Sequence, residues 1–210
     1  MKIKKGIYFI TDSEGFSEEE FLSRVEEGLR GGAVMLQLRE KNKTTREYIE
    51  LGKKVLSIAK SYNVPLIIDD RVDVALSIDA DGVHVGREDM PVNLARKLMG
   101  DKKIIGATAK TVEQAVLAEK QGADYLGVGA IFKTTTKVKT VLTSVETLKE
   151  IKKAVSAKVF AIGGLNKGNI DILSNTGIDG ICAVSAIMKA ENPQIALSEL
   201  AQKARETGII

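Results

Sequence analysis

Short apolar runs alternate with amphipathic stretches from one end of the chain to the other. The runs at about 7–11, 33–39, 65–69, 82–86, 103–109, 125–132, 158–163 and 180–185 read as strands, being brief, apolar and bounded by turn-forming residues. Between them, residues 17–30, 44–62, 71–78, 91–99, 111–121, 144–156, 167–176 and 193–207 carry apolar positions at helical spacing. Ser17 with Glu20, and Thr44 with Glu47, have the spacing of capping boxes, while Gly122 and Gly177 are placed to stop helices. A local pattern recurs where a helix hands over to a strand: Gly31-Gly32-Ala33-Val34, Asp81-Gly82-Val83-His84, Gly122-Ala123-Asp124-Tyr125 and Gly177-Ile178-Asp179-Gly180. Eight such alternations predict an α/β protein, a single (β/α)8 barrel of parallel strands spanning residues 1–210, compact for that fold. A doubly wound open sheet is the alternative. Against it, no glycine-rich dinucleotide fingerprint follows the first strand, and Gly127-Val128-Gly129-Ala130-Ile131-Phe132 lacks a third glycine.

One strand departs from the apolar rule. In Ala33-Val34-Met35-Leu36-Gln37-Leu38-Arg39-Glu40-Lys41, strand alternation puts Gln37, Arg39 and Lys41 on one face and Leu36, Leu38 and Glu40 on the other. A strand covered on both faces should be apolar throughout, so a donor and two cations together at its C-terminal end suggest an anionic ligand. The plainer reading is a strand running out into solvent. A barrel places its site at the C-terminal strand ends. Polar residues do gather there: Arg39 and Lys41, Asp69-Asp70-Arg71, Gly86-Arg87-Glu88-Asp89, Thr108, Lys133 to Lys137, Gly163-Gly164 and Val184-Ser185. The strand starts carry little beyond Gly, Pro and Asp.

Composition narrows the partners. Against 28 Asp and Glu, 31 Lys and Arg leave a net charge of +3, and aromatics are 4% with no Trp, which argues against a nucleic-acid surface. Hydrophobic residues, at 44%, suffice for a sizeable core. Cys182 is the single cysteine, in an apolar run, so a core thiol is expected and an intramolecular disulfide is excluded. No segment approaches membrane-spanning length, and Gly6 to Thr11 is too short for a signal core, so the chain reads as soluble and cytoplasmic. Its oligomeric state is left open, a homo-oligomer included.

Asp70 and Asp89 close neighbouring strands; with Arg39, Lys41 and Lys137 nearby they form an oxygen-ligand site of the kind Mg2+ uses with substrate phosphates. Taken singly, each Asp reads equally as a turn or helix cap. Thr134, Thr135, Thr136 and Lys137 offer hydroxyls, backbone N–H groups and a cation suited to phosphate, or a solvated loop. Gly163-Gly164 and Ala183-Val184-Ser185 match the phosphate position many barrels use after strands 7 and 8. His84, the one histidine, reads as structural rather than as a general base, and no nucleophile with its base can be built around it. Tyr8 and Thr11-Asp12 end the first strand and either line a pocket or cap a helix. From residues alone the expectation is an enzyme handling two anionic groups, one of them with metal.

These segments resemble thiamine-phosphate synthase, also called thiamine-phosphate pyrophosphorylase. The resemblance runs over nearly the whole chain, through Tyr8-Phe9-Ile10-Thr11-Asp12, Gln37-Leu38-Arg39-Glu40-Lys41, Asp70-Arg71-Val72-Asp73-Val74-Ala75 and Gly82 to Asp89. It continues in Gly122 to Gly129, Thr134-Thr135-Thr136-Lys137, Ala161-Ile162-Gly163-Gly164 and Val184-Ser185-Ala186-Ile187. It implies a Mg2+-dependent transferase of thiamine biosynthesis on a (β/α)8 barrel, joining 4-amino-2-methyl-5-pyrimidinylmethyl diphosphate to a thiazole phosphate with loss of diphosphate. It further implies that Gln37, Arg39 and Lys41 hold the pyrimidine substrate and its diphosphate, with Leu38, Glu40, Asp69 and Thr108 also among the substrate-binding residues. Asp70 and Asp89 would ligate Mg2+, and Lys137 would contact the departing diphosphate. Thr134, Thr136, Gly164, Val184 and Ser185 would hold the thiazole phosphate, with Thr135 among the substrate-binding residues. Arg39, Lys41, Thr108 and Lys137 form the implied catalytic set.

The chain departs from the family pattern at several places. Asp69 stands where Asn is usual, adding a carboxylate beside Asp70. Thr108 replaces a common Ser, Ala130 a usual Pro, and Val138 to Val145 lacks the customary glycine. Two alternatives share the fold: a thiazole tautomerase-like relative, which does not join the rings and typically loses part of the metal and diphosphate set, and a non-catalytic barrel binding a phosphate ligand, disabled by Asp69.

Overall fold

Side chains alternate across each strand, and here they sort into two apolar layers. The computed structural model describes residues 3–133 and 141–210. Among them, eight parallel strands close into a barrel in sequence order: β1 (Gly6–Ile10), β2 (Met35–Leu38), β3 (Leu66–Asp69), β4 (Gly82–Val85), β5 (Ile104–Ala109), β6 (Tyr125–Gly129), β7 (Lys158–Ile162) and β8 (Gly180–Ala183). The (β/α)8 expectation is met.

Inward positions form a small inner core of Tyr8, Ile10, Met35, Ile67, Ile104, Tyr125, Phe160 and Cys182. Outward positions such as Ile7, Phe9, Leu36, Leu38, Ile68, Val83, Leu126 and Val159 join a large outer core with the helices. The rings of Tyr8, Tyr125 and Phe160 meet edge to face, with centroids 5.5 to 5.9 Å apart. Glycine makes room for them: a Cβ on Gly106, beside Tyr125 in the β5–β6 register, would come within 2.1 Å of its ring. Cys182 lies in this core, where burial holds its thiol well above the ordinary range, so it is a core residue as expected.

The ring of helices comprises α1 (Glu18–Arg30), α2 (Thr45–Ser61), α3 (Val72–Ser77), α4 (Val92–Met99), α5 (Val112–Lys120), α6 (Val145–Ala154), α7 (Ser185–Met188) and α8 (Pro193–Glu206). The Thr44–Glu47 box at α2 is complete. At α1 only half of it forms: Ser17 accepts from the Glu20 N–H, while the Glu20 carboxylate turns to Arg24. The helix expected at 167–176 is a correction. Only a 3₁₀ turn, Ile170–Leu173, is present, because Asn166 and Asn169 spend their side-chain oxygens on the N–H groups of Gly168 and Asn166. The strand expected to 185 ends at Ala183, and α7 begins two residues on. Gly122 follows the last turn of α5 at φ +102, in its expected role, whereas Gly177 (φ +73) follows no α-helix.

Candidate active site

At the floor of the mouth, buried polar groups are joined in series. Gln37, on the inward face of β2, donates from Nε2 to the Tyr8 hydroxyl at 2.7 Å. The Tyr8 and Tyr125 hydroxyls lie 2.7 Å apart. Nδ1 of His84 is 3.1 Å from the Tyr125 hydroxyl, and its Nε2 is 3.0 Å from Thr108 Oγ1. His84 is therefore a satisfied histidine, as expected, and it ties Thr108 of β5 to the barrel interior.

Charge gathers on the rim above β2, β3 and β4. Strand β2 stops at Leu38, so Arg39 and Lys41 lie in the loop beyond it, yet both turn to β3. Lys41 Nζ donates to Asp69 Oδ2 at 2.8 Å and also to Asp70 Oδ2; Arg39 Nε lies 3.9 Å from Asp69 and its Nη1 4.0 Å from Asp12. Asp69 is buried at the end of β3. Asp70 adopts φ +60, a left-handed conformation that Asp tolerates better than most residues, and caps no helix, since the N-cap position of α3 is Arg71. Asp89 accepts the Gly86 N–H at 2.8 Å, so its turn-closing role is real.

Asp70 and Asp89 are also within hydrogen-bond reach of each other. Burial and the neighbouring Asp70 push Asp89 above the ordinary carboxylate range. Burial opposes ionisation of Asp70, but the Lys41 ammonium outweighs it and holds that carboxyl low. Likewise burial disfavours charge on Lys41, and Asp69 and Asp70 more than restore it. Among the described residues, no three His, Cys, Asp or Glu side chains group into a complete metal cage.

Leu38 faces away from this rim. The Leu38 side chain is buried in the outer core, and its carbonyl accepts from the Tyr48 hydroxyl at 2.6 Å. Glu40 accepts from Ser13 at 2.7 Å; its other oxygen is buried without a partner among the described residues, and burial raises its pKa. It lines a cavity of about 460 Å3 with Arg39, Lys41, Lys43, Asp12 and Lys189.

Across the mouth, Gly163 and Gly164 turn at φ +106 and +62, and a Cβ on Gly164 would come within 2.8 Å of the Lys133 carbonyl. Val184 packs on the inner core and Ser185 is exposed at the start of α7. Thr134, Thr135, Thr136 and Lys137 lie outside the described residues.

A family model described as thiamine monophosphate synthase matches residues 7–187. The chain belongs to the thiamine monophosphate synthase family. It is 46% identical to a thiamine-phosphate synthase of Clostridium tetani over 92% of this chain and 93% of that one. It is 52% identical to thiamine-phosphate synthase 2 of Streptococcus pneumoniae over 89% of each. The solved thiamine phosphate pyrophosphorylase from Pyrococcus furiosus superposes with a TM-score of 0.88 at 42% identity, covering 98% of both chains.

Within this thiamine monophosphate synthase barrel, the structure brings Gln37, Arg39, Lys41, Asp69, Asp70, Asp89 and Thr108 to one mouth. It also adds residues that the sequence reading passed over. The sequence leaves Tyr8 open between lining a pocket and capping a helix, and Tyr125 reads only as part of a strand. Their signal was available: a tyrosine at an inward strand position needs a partner for its hydroxyl. Asp69, the departure from the usual Asn, is the shared counter-ion of Lys41 and Arg39.

Proposed function

We propose that this chain is a thiamine-phosphate synthase that joins 4-amino-2-methyl-5-pyrimidinylmethyl diphosphate to a thiazole phosphate. The observation that carries this reading is the convergence of Arg39, Lys41, Asp70 and Asp89 at the ends of β2, β3 and β4, over a floor holding Gln37. The thiazole nitrogen lone pair forms the new C–N bond to the pyrimidine CH2. The C–O bond to diphosphate breaks, and diphosphate departs with the electron pair. No proton is moved, which suits a site with no activated nucleophile among the described residues. Arg39 and Lys41 stabilise the charge building on the leaving group. Gln37 presents its amide to the pyrimidine ring, and Gly164, Val184 and Ser185 border the side where the thiazole phosphate is held.

The donor set fits Mg2+, which commonly binds one or two carboxylates and completes its shell with substrate phosphates. Asp70 and Asp89 would hold it: two acidic groups near enough to share a proton are a pair a divalent cation neutralises. Bound there, Mg2+ would supply further charge neutralisation for diphosphate. The test is to incubate the protein with both phosphorylated substrates, with Mg2+ and with EDTA, and to detect thiamine phosphate and diphosphate. Product with Mg2+ alone is expected. No product from folded protein and authentic substrates overturns the reading, and isomerisation of the thiazole phosphate without joining would replace it by a tautomerase.

A further inference from the structure

Four hydrogen bonds connect the inward side chains of five strands into one line, Gln37–Tyr8–Tyr125–His84–Thr108. Two glycines leave space for it: Gly106 accommodates the Tyr125 ring, and a Cβ on Gly127 would sit 3.3 Å from His84 Cε1. Each hydroxyl in the line has one proton, and a neutral imidazole has one N–H and one lone pair. The direction at one end therefore sets the direction at the other.

Tyr8 and Tyr125 are fully buried; the Tyr8 hydroxyl is held between Gln37 and Tyr125 and the Tyr125 hydroxyl between Tyr8 and His84, with the Gln37 side chain also within hydrogen-bond reach of Tyr125. Tyr8 accepts from Gln37, so its proton goes to Tyr125; to leave it unpaired in the core would be costly. Tyr125 then donates to His84 Nδ1. His84 is thereby required to carry its proton on Nε2 and to donate it to Thr108 Oγ1. Having accepted that bond, Thr108 directs its own proton away from His84.

We propose that His84 is a positioning residue, held by Gln37 through two tyrosines as the Nε2–H tautomer, so that the half-buried Thr108 hydroxyl donates to an acceptor atom of the bound substrate. Only the identity of that substrate rests on the synthase reading. The line also couples two contacts that are far apart in sequence: a ligand that reversed the Gln37 amide would reverse Thr108 from donor to acceptor.

His84 is the only histidine in the chain, so its ring nitrogens can be read without ambiguity by long-range 1H–15N NMR. At about pH 9, where an ordinary imidazole and carboxyl are in their basic forms, the unaltered protein should show a proton on Nε2 and a lone pair on Nδ1. Gln37→Glu offers Tyr8 only an acceptor; it should reverse the line and move the His84 proton to Nδ1, although residues 37 and 84 share no hydrogen bond. Tyr125→Phe should abolish that response. An Nδ1–H ring in the unaltered protein, or a ring indifferent to Gln37→Glu in a folded variant, overturns the proposal. Should Gln37→Glu fail to fold, Thr108→Val replaces it: a tautomer set from the Gln37 side stays Nε2–H when its Thr108 acceptor is gone, and a ring that turns to Nδ1–H or to a mixture overturns control from Gln37. In turnover, Thr108→Val should lower kcat/KM roughly tenfold, the equivalent of one hydrogen bond, with Thr108→Ser restoring it; equal rates for both overturn the donor role. These ring readouts need no turnover, so absent joining activity counts against the proposed function alone.

Discussion

Asp69 shows how one residue changes meaning once its neighbours are placed. In the sequence it was an unwelcome negative charge beside a diphosphate site. In the fold its Oδ2 takes Lys41 at 2.8 Å and lies 3.9 Å from Arg39, and the side chain is buried at the end of β3. Its Oδ2 is thus engaged by Lys41 and Arg39; Asp70 shares the Lys41 ammonium but, unlike Asp69, also lies within hydrogen-bond reach of Asp89, which is why that pair is the one we propose for an external cation. Asp69→Asn should therefore leave the Mg2+ concentration giving half-maximal rate unchanged or lower. A tenfold rise in a Mg2+ titration would make Asp69 a ligand instead. Asp89→Ala should reduce kcat by at least ~10-fold, since preorganised charge of this kind contributes several kcal/mol to a transition state; a near-normal single-turnover rate would remove it from the site. Gln37 was legible beforehand because strand alternation turns it inward, whereas Arg39 and Lys41, in the loop beyond β2, were legible only as cations gathered at a strand end. The Lys41–Asp69 pairing was not legible, since it joins residues 28 apart and depends on the β2–β3 register.

Among the elements, agreement between sequence and structure follows how far each signal is local. The Thr44–Glu47 box needs four residues of one helix turn and forms completely. The stretch 167–176 has apolar spacing suited to a helix, but its asparagine side chains offer the backbone a competing set of bonds, and only Ile170–Leu173 coils. Asp179, just before β8, was read only as part of a turn motif. In the fold it accepts from Lys152 of α6 at 2.6 Å, Lys158 of β7 at 2.8 Å and the Val159 N–H at 3.0 Å. Burial works against its charge, but these donors prevail and keep its carboxyl below the ordinary range. A carboxyl with a lowered folded pKa contributes stability that is fully present above its unfolded value, about 3.9, and is lost as pH falls through the folded one. Asp179→Asn should cost about 1–3 kcal/mol at neutral pH. The deficit should shrink in denaturant melts as pH falls below about 4; a deficit that does not change with pH would rule out the ion pairs as its source.

At the scale of the whole molecule, the barrel separates what holds it together from what it does. The helix-facing layer and the inner rings are apolar, the strand starts carry ion pairs such as Arg96–Asp124 and Lys103–Asp79, and Arg39, Lys41, Asp70, Asp89 and Thr108 stand at the strand ends. Part of this polarity was visible in the sequence, because most of the apolar runs end in polar residues; the ion pairs at the strand starts were not, because each joins residues of different elements. The stacking of Tyr8, Tyr125 and Phe160 was not, because it depends on which three strands face one another across the barrel. The separation has a measurable consequence when two substitutions are compared in one set of preparations. Phe160→Ala empties the centre of the inner core, where the ring is fully buried against two tyrosines, and should cost about 3–5 kcal/mol. In a chain of this size that lowers Tm by roughly 6–20 °C. Lys41→Ala removes a half-exposed ammonium and should move Tm by only a few degrees, yet lower kcat/KM at least ~10-fold through lost stabilisation of the leaving group. Thermal melts and initial rates on both variants decide the matter. A Lys41→Ala protein that melts as early as Phe160→Ala would show that the charged rim holds the barrel closed, and the division between scaffold and site would fail.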